Sequence, residues 1–416
     1  MIPLARSGPG RPRVGFVGIL GSGNLGNDGS LEAVVSYLRQ EHPDARLGFL
    51  CMGPGQVSAR YGATATALQW YEPHAGTATG VSAAALKVLG KLLDPIRTMA
   101  WVRHYDIVIV PGMGVLEATL PLRPWALPYS LFWLGVTSRV TGTRVALLSV
   151  GSNVVTRRLT RWLVTRAARL ADYRSFRDEL SREAMREMGV DVCADEVYPD
   201  LVFALPTPPA GPRTNAVGVG VMAFYGGNDD RKRADELHRA YLETMKLFVR
   251  WLVDAGRQVR LFTGDKADEP VVAEILADVQ LHRPEVEATR VIAESVSTLQ
   301  ELLHRMANVD TVVASRYHNV LCAIKLGKPT LSIGYAAKHN ALMASMGLAG
   351  FCHSAHAVDL DRLIEQFNAL EVGREALMAT MAEHNRKQMR LLDEQFEALS
   401  RMLSPTARER AVPDRV

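Results

Sequence analysis

Ser315, Arg316 and His318 lie within four residues of one another in the run Ala314-Ser-Arg-Tyr-His-Asn319. Tyr335 and Lys338 follow in Gly327-Lys-Pro-Thr-Leu-Ser-Ile-Gly-Tyr-Ala-Ala-Lys338. A guanidinium offers a planar fork of donors that suits a carboxylate or a phosphate, and an imidazole can deliver or take a proton. Each run closes a short apolar stretch that reads as a strand, Thr311 to Ala314 and Pro329 to Ile333, with a helix from Asn319 to Leu326 between them. The anion clamp and the proton carrier are therefore expected at the same edge of a sheet. A solitary histidine is most often structural, but His318 stands at a strand terminus rather than on an apolar face.

Three further motifs share this placement. Gly18-Ile-Leu-Gly-Ser-Gly-Asn-Leu-Gly-Asn-Asp-Gly-Ser30 follows an expected strand and opens a helix, where unpaired N–H groups and the positive dipole end can face an anion. It matches neither the dinucleotide nor the P-loop fingerprint. Asn24 and Asp28 also suit an ordinary turn and cap. Asp106-Ile-Val-Ile-Val-Pro-Gly-Met-Gly-Val-Leu116 runs a buried strand into Gly112 and Gly114, at the carboxyl edge where open α/β sheets bind ligands. Arg177, in Ser175-Phe-Arg-Asp-Glu-Leu-Ser181, can clamp an oxyanion or pair locally with Asp178, and Ser181 or Asp178 can cap the helix that follows. Asp200 opens Asp-Leu-Val-Phe-Ala-Leu205 shortly after.

The elements that must position these groups alternate between short apolar runs and longer helical patterns, the signature of a parallel sheet covered by helices. Arg13 to Leu20, Ala45 to Cys51, Tyr105 to Val110 and Arg144 to Val150 read as strands, and Ser30 to Gln40, Leu159 to Leu170 and Asp178 to Met188 as helices. Pro206 to Arg213 holds four prolines in eight residues and reads as a linker. The pattern then restarts with strands Ala216 to Met222 and Gln258 to Thr263 and helices Asp235 to Ala255 and Pro270 to Val279. The expected division is an N-terminal Rossmann-like domain over 13–205, the linker over 206–213, a C-terminal Rossmann-like domain over 214–356, terminal helices over 357–403 that pack back, and a disordered end over 404–416.

A chain of 416 residues suits two or three domains at roughly 150 residues each. With 48% apolar and 22% charged residues it reads as a folded, water-soluble chain. A net charge of +4 over this length is too dilute for nucleic-acid binding. Four dispersed cysteines form neither a disulfide framework nor a metal spacing, so no metal site is expected. The first residues lack the apolar core of an export signal, and the location expected is cytoplasmic. Trp125 to Val140, about 16 residues broken by Pro128, Ser130, Thr137, Ser138 and Arg139, is too short to span a bilayer, and Arg123 to Arg144, with Trp125, Tyr129, Phe132 and Trp133, reads as a core helix, or else as a peripheral contact at the inner face of the cytoplasmic membrane. Nothing in the sequence sets an oligomeric state.

In order and spacing the motifs resemble the polysaccharide pyruvyl transferase family. The corresponding residues are Asn24, Gly26 and Asp28; Gly112 and Gly114; Arg177, Asp178 and Ser181; Asp200, Phe203 and Leu205; Arg316 and His318; and Tyr335 and Lys338. The turn reads Asn-Leu-Gly-Asn-Asp where the family has Asn-x-Gly-Asp-Glu, and Met113 splits the usual glycine pair. The resemblance implies two Rossmann-like β/α domains as in GT-B glycosyltransferases, an N-terminal acceptor side and a C-terminal phosphoenolpyruvate side. It also implies transfer of the phosphoenolpyruvate-derived group to a sugar, free or in a lipid-linked oligosaccharide, as a ketal with release of phosphate. Phosphoenolpyruvate is then a co-substrate and no cofactor is required. On this reading His318 is the acid, Asp200 or Asp28 the base, and Arg177, Arg316 and Lys338 hold the anion, with Ser315, Tyr335, Asn24, Asp28, Gly112 and Gly114 lining the substrates. A nucleotide-sugar glycosyltransferase of the same architecture and a non-catalytic sugar-binding protein are the alternatives.

Overall fold

The computed structural model describes residues 11–74, 80–117 and 124–403. The chain falls into two compact units, of which the first takes residues up to 22, 30–201 and those from 391 onward, and the second takes 23–29 and 202–390.

The first unit is built on β1 (Arg13–Gly18), α1 (Leu25–Glu41), β2 (Arg46–Cys51), α2 (Pro54–Tyr61), β3 (Thr64–Ala67), α3 (Tyr71–His74), α4 (Gly80–Val102), β4 (Ile107–Pro111), α5 (Leu127–Thr141), β5 (Arg144–Val150), α6 (Arg158–Leu170), β6 (Tyr173–Phe176), α7 (Glu179–Glu187) and β7 (Glu196–Val197). Its sheet is parallel in the order β3-β2-β1-β4-β5-β6-β7. Parallel strands are covered on both faces, which is why β4 is buried at every residue and reads as an unbroken apolar run. Because the order reverses at β1 and β4, right-handed crossovers place α1 and α2 on one face and α4, α5 and α6 on the other. Close approach there needs glycine: a Cβ on Gly15 would stand 2.6 Å from the Trp101 ring.

The second unit carries β8 (Ala216–Gly220), α8 (Ala234–Asp254), β9 (Gln258–Phe262), α9 (Glu269–His282), β10 (Val291–Ala293), α10 (Leu299–Met306), β11 (Thr311–Ala314), α11 (Tyr317–Lys325), β12 (Thr330–Gly334), α12 (Ala337–Ser345), β13 (Cys352–Ser354), α13 (Leu360–Val372) and α14 (Arg374–Leu403). Its parallel sheet runs β10-β9-β8-β11-β12-β13, with the reversal between β8 and β11. Leu237, Tyr241, Met245, Phe248 and Leu252 recur at three and four residues along α8 and bury one face of that helix. Pro206 to Arg213 forms no helix or strand and groups with this unit.

The last turns of α14 group with the first unit, where Leu392, Phe396 and Leu399 are buried. Gln395 there bonds two serines at adjacent strand ends: Ser149 Oγ donates to its Oε1 at 3.1 Å, and its Nε2 donates to Ser175 Oγ at 2.7 Å. Helix α1 starts five residues earlier than the Ser30 expected from apolar spacing, because Asn24 Oδ1 accepts the Asn27 N–H and Asn24 O the Asp28 N–H. The expected end over 404–416 lies outside the described residues.

Candidate active site

In the second unit the reversal of strand order opens a crevice at the carboxyl ends of β8 and β11, and the sequence-derived groups gather on that edge. Ser315 N–H donates to Gly220 O at 2.8 Å, which carries the pairing one residue past β11, and Arg316 occupies the cap position of α11 with extended backbone. Among the described residues no side chain caps this helix, and its positive dipole end lies at the edge where Arg316 stands. His318 stands in the first turn. From the neighbouring strand end, Lys338 Nζ lies 5.6 Å from the centroid of Tyr317 and 6.0 Å from that of Tyr335. Ser315, Arg316, His318, Tyr335 and Lys338 are thus brought together. Gly220 and Gly264 make room for the turn, since a Cβ on Gly264 would meet Arg316 Cγ at 2.9 Å and one on Gly220 would meet Asn319 Nδ2 at 2.8 Å.

Residues that carry no motif in the sequence hold this edge rigid. Asp268, fully buried ahead of α9, accepts from Arg316 Nε at 2.8 Å and from Arg316 Nη2, and from the N–H groups of Ala223 at 2.9 Å and Gly264 at 3.3 Å. Burial opposes the charge of Arg316, but the Asp268 bonds outweigh it and keep the guanidinium above its ordinary pKa. Arg316 remains cationic, and its Nη1 is left to donate elsewhere. Ser315 Oγ shares a 2.6 Å bond with Tyr241 Oη, and burial pushes Tyr241 up to about 12, so the phenol keeps its proton. His339 is fully buried, with Nε2 3.2 Å from Ser315 O and Nδ1 3.3 Å from Ala336 O. Burial and then the charge of Lys338 pull it down to about 3, which makes it a neutral strut and not a second acid. The Asn319 amide is fully buried and bonds to no protein atom among the described residues. A buried amide is costly to leave unmet, so the arrangement favours a polar guest at this turn.

The segment Gly23–Gly29 groups with the same unit. A Cβ on Gly26 would overlap the His318 imidazole, and one on Gly29 would overlap Leu299 of α10. The glycines in the first turn of α1 are therefore set by the side chains that press on them. Asn24 serves the turn, and Asp28 stands in the first helical turn.

Gly112, Gly114, Arg177 and Asp200 belong to the first unit. Gly112 has φ of 56° and Met113 of 65°, a left-handed pair that turns the chain at the end of β4. A Cβ on Gly112 would meet Ser30 Oγ at 2.6 Å. The turn leads to Glu117, whose buried carboxylate pairs with the buried guanidinium of Arg177. The local pair with Asp178 expected from the sequence is present, with Arg177 Nε 3.4 Å from Asp178 Oδ2, but the sequence does not point to Glu117. Its only signal is an acid three residues beyond Gly114. Asp178 Oδ1 accepts the Ser181 N–H at 2.7 Å and caps α7, while Ser181 Oγ accepts the Ser152 N–H at 3.0 Å. Asp200 is buried. The stretch around α5 is mainly core, with Leu127, Leu131 and Leu134 buried and Trp125 exposed; Arg123 lies outside the described residues.

Among solved structures, the chain is similar to UDP-GlcNAc 2-epimerase from Methanocaldococcus jannaschii, at 10% identity over 86% of this chain and 92% of that one, with a TM-score of 0.55. It is also similar to the Anabaena protein HepE in complex with UDP, at 12% identity over 93% and 99% with a TM-score of 0.56. A third likeness is to S. aureus MnaA with UDP, at 10% identity over 94% and 97% with a TM-score of 0.55. These likenesses establish the fold, two Rossmann-like units arranged in sequence as in GT-B glycosyltransferases and epimerases. No curated protein sequence matches the chain significantly. The family model for polysaccharide pyruvyl transferase matches residues 24–336, from the Asn24 turn through Arg177 and His318 to the residue beyond Tyr335, and the chain belongs to that family.

Proposed function

We propose that the protein transfers the three-carbon group of phosphoenolpyruvate to a sugar of a polysaccharide or lipid-linked oligosaccharide, forming a ketal and releasing phosphate. The observation that carries this reading is the grouping of Arg316, His318 and Lys338 at one helix-capped sheet edge. Phosphoenolpyruvate bears a carboxylate and a phosphate, and the Nη1 of a guanidinium already fixed by Asp268, a lysine ammonium and the positive dipole end of α11 answer both. Arg177 is a further cation proposed for the anionic substrate. His318 protonates the methylene carbon of the enol phosphate, which makes C2 electrophilic. A sugar hydroxyl adds to C2 and gives its proton to a carboxylate, Asp200 or Asp28. Phosphate then leaves with the proton that the carboxylate took up, and a second hydroxyl closes the ketal and returns its proton to His318. No step calls for a metal or a cofactor.

The test is to incubate the protein with phosphoenolpyruvate and a panel of oligosaccharide acceptors, following phosphate release and the mass of the acceptor. Equal release of phosphate and formation of a pyruvyl ketal supports the reading. Consumption of a UDP-sugar, with phosphoenolpyruvate untouched, would replace it with a nucleotide-sugar glycosyltransferase.

A further inference from the structure

Helix α4 is inside out. Gly90, Asp94 and Thr98, spaced by four, face inward and are buried. Val88, Leu92 and Ile96 form a stripe on the opposite side and are 64%, 67% and 61% exposed, with Met99 continuing it. Asp94 fixes this rotation, since it accepts the Trp70 N–H at 2.8 Å and pairs with Lys91 and Arg97. A surface helix ordinarily buries its aliphatic residues and shows its polar ones. An exposed aliphatic stripe over a satisfied polar underside therefore marks a face built to meet something.

The helices beside it show what that is. α4 packs against α5 and α5 against α6, all on one face of the first sheet. Together α4, α5 and α6 carry eight Lys or Arg and a single acid, the buried Asp94, where a proportional share of the chain's 44 acidic residues would be about five. On α6 and its cap, Arg157, Arg158, Arg161, Arg166 and Arg169 are all exposed, and among the described residues none is ion-paired. Leu159 and Trp162 are exposed between them, and Arg166 lies over the Trp162 ring. A second copy of this face would bring arginine against arginine. A nucleic acid would use the arginines and leave the Val88–Ile96 stripe in water. A layer of anionic headgroups over acyl chains satisfies both features at once. No described helix is long and apolar enough to cross a membrane, so the contact lies in the plane of the surface.

We propose that the α4–α6 face of the first unit docks on an anionic lipid bilayer. Within this face the apolar contact comes from α4 and not from α5, whose apolar side is core, and the inference does not depend on the donor or acceptor assigned above. The full-length protein is sedimented with phosphatidylcholine vesicles with and without phosphatidylglycerol, at low and high salt. The expected result is binding to the anionic vesicles at low salt, at least about ten-fold weaker to phosphatidylcholine alone and lost at high salt. Leu92→Ser with Ile96→Ser, and separately Arg158→Glu with Arg166→Glu, should each weaken it by at least about ten-fold with the melting temperature kept. The two pairs fail independently if one misfolds. Absence of binding by the parent at low salt, or parental binding by both folded double variants, overturns the proposal. So does a solution dimer that Ile96→Ser breaks while vesicle binding persists, because a second copy would then be the occupant.

Discussion

The guanidinium of Arg316 is gripped along one edge by the fully buried carboxylate of Asp268, which two backbone N–H groups hold in turn. This fork aims Arg316 and keeps its charge, and it leaves Nη1 for a ligand. Asp268→Asn should raise the KM for phosphoenolpyruvate and lower kcat/KM by about ten- to a hundred-fold, the worth of a charge-assisted bond. Arg316→Ala should cost at least as much, and the double variant no more than Arg316→Ala alone, because both act through one guanidinium. Additive losses would show that Asp268 works by another route.

His318 and Gly26 make a second pair with a measurable coupling. His318→Ala should lower kcat by about 10² to 10⁴ while phosphoenolpyruvate binding stays within a few-fold, as expected of a general acid. Gly26→Ala places a methyl group where the imidazole stands, so the ring must move. The expected loss is mainly in kcat, and it should vanish in the His318→Ala background, where there is no ring to displace. A loss from Gly26→Ala that persists without His318 would trace to the turn itself.

What is legible in the sequence follows from chain distance. The run from Thr311 to Asn319 announces its own strand, junction and helix, since the apolar residues, the break and the polar groups are contiguous. Asp268 lies 48 residues from Arg316 in sequence and meets it only because β9 and β11 flank β8. His339 gives no signal because its partners are backbone carbonyls. The three-residue strands β10 and β13 are too short for an alternating pattern. Helix α4 is not legible because Pro95 interrupts it and because its polar residues face inward, which inverts the expected periodicity.

Arg177 and Glu117 are both buried and paired, so alanine at Arg177 is a test of folding before it is a test of binding. It strands a buried carboxylate, for an expected cost of about 3–5 kcal/mol in denaturant unfolding. Glu117→Gln should cost less, because the neutral amide still accepts from the guanidinium. Joint replacement with Met at Arg177 and Leu at Glu117 should recover most of the loss. The binding role is read instead from Arg177→Lys, which keeps the charge but not the fork and should raise the KM for phosphoenolpyruvate. An unchanged unfolding midpoint for Arg177→Ala would contradict the buried pair.

His339 fixes the sign of an acid effect on stability. Burial, reinforced by Lys338, lowers it from 6.5 to about 3 in the folded protein, whereas in the unfolded chain it titrates at its ordinary value. Between these limits the unfolded state binds the extra proton. Stability is therefore complete above about pH 6.5 and falls as pH drops toward 3, by up to about 1.4 kcal/mol per pH unit from this one group. His339→Gln keeps a donor for the Ser315 carbonyl and removes the titration. Its stability at neutral pH should be somewhat lower than the parent's, and its decline between pH 6.5 and 4 should be shallower by that slope, measured as unfolding free energy at fixed temperature. An equally steep decline in the variant would assign the acid lability to other groups and remove the neutral strut from the account of how Ser315 and Arg316 are held.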